Sequence, residues 1–283
     1  MKKIELNNGI SMPLLGFGVY QIDDAKECER SVSDALEVGY RSIDTAAAYN
    51  NELAVGNAIK NSGIPRNDLF LTTKIWVSDT GYERTLRAFE RSIKKLQTDY
   101  LDLFLIHQPY GDVYGSWRAM EELNRKGMVK AIGISNFQTD RVIDLIIHNT
   151  ITPAVNQIET HPFNQQIEAQ KFLQENKVQV ESWGPFAEGR NNLFTNELLV
   201  SIAKKYDKSV AQVTLRWLIQ IGIVVIPKTV HKQRMIENLL VFDFEISPED
   251  MSKIVRLDTK TSSFFDHRDP EMVKRLSGYV LPE

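Results

Sequence analysis

The chain has 283 residues, 42% of them hydrophobic, with 34 basic residues against 37 acidic ones and a formal charge of -3. This is enough to bury a core as one large domain or two modest ones, while the near-balanced charge, with no basic block, argues against nucleic acid or an anionic membrane as partner. The N-terminal "MKKIELNNGI" lacks an apolar segment of signal-peptide length and no run approaches the roughly 20 apolar residues that cross a bilayer, so a soluble cytoplasmic protein is expected.

Taken in chain order, "KIELNNGISMP" reads as a short hairpin, because Asn8-Gly9 is a strong hairpin-turn signal. Short β-rich runs then recur: "LLGFGVY" near residue 14, "YRSID" at 40, "LFLTTKIW" at 69, "LDLFLIH" at 101, "VKAIGIS" at 129, "PAVNQIE" at 153, "VQVESW" at 178 and "GIVVIPK" at 222. Helix-patterned segments lie between them. "DDAKECERSVSDALEVG" holds the single cysteine, Cys28, which excludes a disulfide framework and reads as structural. "TGYERTLRAFERSIKKLQ" and "GSWRAMEELNRKG" follow, the latter ending at Gly127, where a helix terminus prefers glycine. No linker, low-complexity tract or composition shift divides the alternation, so a single domain over residues 1–283 is expected. Strand and helix alternating eight times predicts an α/β fold, a (β/α)8 TIM barrel with the hairpin plugging its N-terminal end.

In such a barrel the C-terminal strand ends surround one mouth, where active sites collect. The polar residues predicted there are Asp44 after strand two, Lys74 in three, His107 ending four, Ser135 and Asn136 after five, Gln157 in six, Trp183 in seven, and Lys228 and Thr229 after eight. Singly each has an ordinary reading: a strand-end lysine reaching solvent, a hydrogen-bonded core histidine, an acid capping a helix, a core tryptophan. Together they suggest more. Lys74 lies amid apolar neighbours where an unpaired ammonium is costly, and Asp44 on the next strand is its natural counter-ion. A cation beside Tyr49 is expected to lower the phenol's pKa from about 10 and make it a general acid.

The segments "GYRSIDTAAAYNNE", "TKIW", "DYLDLFLIHQP", "GISNF", "NQIETHPF" and "IPKTVHKQRMIEN" closely resemble, in order, the successive signatures of the aldo-keto reductases, in particular bacterial aldehyde and dicarbonyl reductases. The resemblance spans residues 4–258 and implies a barrel that reduces aldehydes and ketones with NADPH. It assigns Asp44, Tyr49, Lys74 and His107 to the catalytic tetrad, with Tyr49 protonating the carbonyl oxygen and His107 orienting it. It also implies that Ser135, Asn136 and Gln157 meet the nicotinamide carboxamide and that Trp183 stacks on the ring, with Val19, Gly184 and Phe186 lining the cofactor.

The fingerprint G-x-G-x-x-G is missing, since Gln21 stands where its third glycine would fall in "GFGVYQ". Instead, Lys228, Thr229 and Arg234 surround the start of the last barrel helix, a combination suited to phosphate, which a solvent-facing basic helix would also show. The resemblance gives them the adenosine 2′-phosphate of NADPH (NADP+), and gives the adenine to Glu237 and Asn238. "GPFAEGRNNLF" has the composition of a strap over the pyrophosphate.

A small carbonyl compound is the expected partner, in a pocket walled by Tyr20, Trp76, His107 and Tyr110, with Phe264 or Phe265 of the tail brought over the opening. Gln108 stands where the family more often has tryptophan. No metal ligand is assigned, and a monomer is expected. Two other readings remain open: a slowly turning-over cofactor sensor of the same superfamily, and a Schiff-base aldolase using Lys74.

Overall fold

The computed structural model describes residues 2–281. Its first two strands, β1 (Lys3–Glu5) and β2 (Ser11–Pro13), pair antiparallel with Ile4 opposite Met12. The turn closes through a Leu6 N–H bond to the Ile10 carbonyl, and Gly9 takes a left-handed φ of 81°. This is a three-residue loop, Asn7 to Gly9, whose last position favours glycine.

An eight-stranded parallel sheet follows in strict chain order: β3 (Phe17–Gly18), β4 (Ser42–Asp44), β5 (Phe70–Ile75), β6 (Leu101–Ile106), β7 (Val129–Ser135), β8 (Val155–Glu159), β9 (Gln179–Trp183) and β10 (Val224–Val225). The two edges meet. Leu15 bridges Val225 in parallel, and the Gly16 N–H reaches the Val225 carbonyl at 2.8 Å. At this seam the backbones approach so closely that a Cβ on Gly18 would lie 2.8 Å from the Ile226 carbonyl oxygen. The first and last strands are shorter than the runs "LLGFGVY" and "GIVVIPK" suggest: Phe17 and Gly18 pair with Ile43 and Asp44 of β4, and Val224 and Val225 pair with Glu181 and Ser182 of β9.

Alternation within each strand sorts residues between two layers. In β6, Phe104 and Ile106 pack with the helices, while Leu103 and Leu105 face the barrel interior with Phe70, Ala131, Val155 and Val224. Burial on both faces is why these parallel strands read as unbroken apolar runs. Leu6 and Met12 of the hairpin join the inner cluster and close that end of the barrel. Asp102, an acid inside an apolar run, is satisfied by Arg66 at 2.7 Å and Lys130 at 2.9 Å.

The predicted helices form at Ala25–Val38, Tyr82–Leu96 and Val113–Arg125. Gly127 is left-handed just past the last of these, with φ 73°, and Cys28 is fully buried in the first. The helices Glu197–Lys205, Pro248–Val255 and Pro270–Ser277 lie outside the segments whose sequence pattern predicted a helix. Among the described residues, no helix is long and apolar enough to cross a membrane.

Candidate active site

The inward positions change character along the barrel. Phe70 lies low in β5, Thr72 follows and Lys74 stands near the top, so the two-residue period that fills the interior also lifts a lysine to the mouth. Asp44 arrives from β4 on the same principle. Lys74 Nζ donates to Asp44 Oδ1 at 2.5 Å and to the Thr45 carbonyl at 2.9 Å, and both charged side chains are buried, at 0% and 3% exposure. Burial acts to lower the Lys74 pKa, but its charged partners, Asp44 first, outweigh it and hold the ammonium above its usual range. It is a fixed charge.

Tyr49 ends a 3₁₀ turn, Ala47–Tyr49, directly after β4. The loop is held by Asn51, which accepts from the Thr45 hydroxyl at 2.8 Å and donates to the Val19 carbonyl at 2.9 Å. The phenol ring lies 5.1 Å from Lys74 Nζ and meets the His107 ring edge-on at 5.5 Å. Here the expected pKa is corrected: burial pushes the phenol up to about 12, against the lowering by Lys74, and Asp44 adds to the rise. A buried phenolate loses more hydration than one cation returns. Tyr49 therefore holds its proton at neutral pH.

His107 follows β6 and rests against Trp76 at 5.2 Å. Among the described residues its Nδ1 is buried without a partner, and burial, then Lys74 and His267, holds its pKa well below the ordinary value. The imidazole is neutral, so one ring nitrogen carries hydrogen and can donate. Gln108 beside it likewise has a buried Oε1 without a partner among the described residues.

A cleft of about 1300 Å³ opens from these groups. Tyr20, Tyr49, Trp76, His107 and Gln108 line it together with Ser135, Asn136, Gln157, Trp183, Gly184 and Phe186, and so do Lys228, Thr229, Arg234, Glu237 and Asn238. One continuous space thus joins almost all of the predicted residues. Asn136, left-handed at φ 66°, is fixed by its neighbours: its Nδ2 donates to the His107 carbonyl, and its Oδ1 accepts from Trp183 Nε1 at 2.8 Å. Ser135 donates to the Gln157 carbonyl at 2.9 Å.

Three expected residues are placed differently. Val19 is fully buried in the core with both backbone groups engaged, while Gly18 and Tyr20 on either side line the cleft. Tyr110 does not wall the pocket, because its hydroxyl turns to the His267 carbonyl at 2.6 Å and ties down the tail. Lys74 is fully buried and does not line the cleft. The segment Ala187–Thr195 does form a strap, with Gln21 donating to Glu188 at 3.2 Å on one side and Arg190 to the Ser263 carbonyl at 2.7 Å on the other.

A family model for the aldo/keto reductases matches residues 14–259. The chain belongs to the aldo/keto reductase family. It is 49% identical over 256 residues to the glyoxal reductase of Bacillus subtilis, covering 90% of this chain and 92% of that one. It is 43% identical over 258 residues to the methylglyoxal reductase of Escherichia coli, covering 90% and 93%. Among solved structures, an aldo-keto reductase of Bombyx mori in complex with NADP superposes with a TM-score of 0.88 at 32% identity, over 93% of this chain and 95% of that one. This aldo/keto reductase is accordingly an oxidoreductase of carbonyl compounds.

Several cleft residues of this reductase were not legible as such in its sequence. Phe264 and Phe265 reach the opening as expected, but His267, Arg275, Leu276 and Tyr279 join them, and Trp76 Nε1 donates to the Tyr279 carbonyl at 2.7 Å. No strand period announces a tail. Glu181, fully buried in β9, was also passed over, although its signal was present. A strand that points Trp183 at the mouth must point the residue two positions earlier into the barrel.

Proposed function

We propose that this aldo/keto reductase uses NADPH to reduce small aldehydes and dicarbonyls to alcohols, with Tyr49 as the general acid. The observation that carries the reading is the joining of a protonated phenol, a buried Asp44–Lys74 pair and a neutral His107 to a cationic far end through one cleft. The donor set fits a dinucleotide phosphate. Gln157 offers a carboxamide, Trp183 a flat ring, and Lys228 and Arg234 exposed cations, whereas neighbouring Lys232 is paired with Asp34 and Glu37.

The chemistry NADPH supplies when bound is hydride donation to the carbonyl carbon. Charge then develops on the carbonyl oxygen, and the protein's part is to stabilise and protonate it. Tyr49 gives the proton, and Lys74 beside it stabilises the phenolate left behind, with Asp44 keeping that ammonium in place. His107, neutral, donates a second hydrogen bond that fixes the carbonyl. The aromatic walls Trp76 and Tyr20 favour a compact substrate, and the similarity to reductases of glyoxal and methylglyoxal supports a small dicarbonyl. Aldolase chemistry loses its nucleophile, since Lys74 is buried, ion-paired and held charged.

The test is NADPH oxidation over a panel of aldehydes, glyoxal and methylglyoxal, with wild type and Tyr49→Phe. The variant should bind NADPH normally and lose roughly 10²-fold to 10⁴-fold in rate. Equal rates in the two proteins would remove Tyr49 from the mechanism. Tight NADPH binding without turnover on any carbonyl would favour the cofactor-sensor reading.

A further inference from the structure

Inside the mouth, Gln157 Nε2 lies 2.9 Å from Asp44 Oδ2 and 2.8 Å from Glu181 Oε2. Both neighbours are carboxyl oxygens, so the atom between them must be the amide nitrogen, and its two hydrogens have one acceptor each. The strands explain the arrangement. Gln157 and Glu181 are register partners on adjacent β8 and β9, while Asp44 comes from β4, half-way around the eight-stranded order. The amide therefore spans the barrel from its neighbour to the opposite wall.

Glu181 has no evident structural purpose of its own. It is fully buried, and among the described residues its Oε1 has no partner and its side chain's single hydrogen bond is the one to Gln157. Keeping a carboxyl out of water is costly unless it is satisfied, and here one contact has to justify it. Lys74 is already paired with Asp44 at 2.5 Å. What the contact does is geometric. Asp44 alone fixes the distance of Gln157 Nε2 and leaves the amide plane free to turn, whereas acceptors on both sides fix the plane. With the nitrogen held inward, Oε1 is the atom left for the cleft that Gln157 lines.

We propose that Glu181 is a positioning residue that locks the Gln157 amide with its oxygen facing the cleft, ready to accept a hydrogen bond from the carboxamide NH2 of the nicotinamide. This rests on the reading of NADPH as the cofactor. It assigns Gln157 the acceptor's role alone, and it ties cofactor recognition to the tetrad, because the same amide nitrogen also donates to Asp44.

The experiment compares NADPH with its acetylpyridine analogue, in which a methyl group replaces the carboxamide NH2. Both are titrated by tryptophan fluorescence into wild type, Glu181→Gln, Glu181→Met and Glu181→Ser, each first checked for folding by circular dichroism. Two apolar or small variants are made so that either one, folded, suffices. Glu181→Met or Glu181→Ser should weaken NADPH binding roughly tenfold, the worth of about one hydrogen bond, and leave the analogue within about twofold of wild type. Glu181→Gln, which keeps an acceptor oxygen, should restore NADPH affinity. Equal weakening of both ligands, or no weakening of either, overturns the proposal, as does a Glu181→Gln variant no better than Glu181→Met. A wild type that binds the analogue but not NADPH overturns it too, and one that binds neither overturns the cofactor reading first.

Discussion

At the scale of single residues, the active-site phenol is the instructive case. Lys74 lies close enough to lower the Tyr49 pKa, yet burial carries it up to about 12, so the cation moderates the cost of a phenolate without removing it. Lys74→Met should therefore raise the phenol further and abolish turnover. It should also destabilise the fold by about 3–5 kcal/mol, because Asp44 would stay buried at 3% exposure with no counter-ion. Rate and urea-melt measurements check both, and wild-type stability would mean the pair is not the closed unit described. Glu181 behaves oppositely with pH. Burial, then Asp44, lifts it from 4.5 to about 8, so between those values the folded chain keeps a proton that the unfolded chain has lost. Its contribution is present below 4.5 and is lost as pH rises through about 8. Glu181→Gln should thus melt progressively higher relative to wild type as pH climbs across that window, and a constant difference would contradict the shift.

At the scale of elements, the tail and the last barrel helix both line the cleft. Glu159, fixed by His161 at 2.9 Å, holds the tail by accepting from Ser262 at 2.5 Å and the Ser263 N–H at 2.8 Å, and Tyr110 adds its bond to the His267 carbonyl. Tyr110→Phe should loosen residues 262–279 in hydrogen exchange and raise KM for carbonyls while leaving NADPH affinity unchanged. A matching loss of NADPH affinity would show that Tyr110 supports the cofactor end as well. The helix Lys232–Leu239 carries Arg234 at the other end, where its planar fork can meet a phosphate through two hydrogen bonds. Arg234→Ala should weaken NADPH roughly ten- to a hundredfold, discounted for exposure, and change NADH little. Equal weakening of both would mean that the side chain acts through the helix and not through a 2′-phosphate.

At the scale of the whole molecule, the barrel closes where its first and last strands touch, with no side chain between Gly18 and Ile226. Gly18→Ala must push these backbones apart, and overpacking of this kind costs about 1–3 kcal/mol. Because Gly18 also lines the cleft, the loss of stability in a urea melt should come with weaker NADPH binding. An unchanged melt would show that the seam can open without cost.

The sequence by itself determined the strand-and-helix alternation, the order of the strands and the polar residues at their upper ends. Those properties follow from local periodicity and from the parity that carries Asp44, Lys74 and Gln157 inward. Tertiary structure alone decided the rest. Whether Tyr49 is acidic depends on a balance between burial and one cation, which no spacing encodes. Val19 faces the core between Gly18 and Tyr20, which line the cleft, and the Tyr110 hydroxyl bonds the His267 carbonyl, far off in the chain. The tail has no period to read, and its place over Trp76 and Trp183 is set by contacts such as Trp76 to Tyr279 and Phe264 against Trp183. Glu181 falls between the two cases. Its parity was legible in "VQVESW", but its meaning appears only once β8 lies beside β9 and β4 faces them across the barrel, because only then do two carboxyl groups find the same amide.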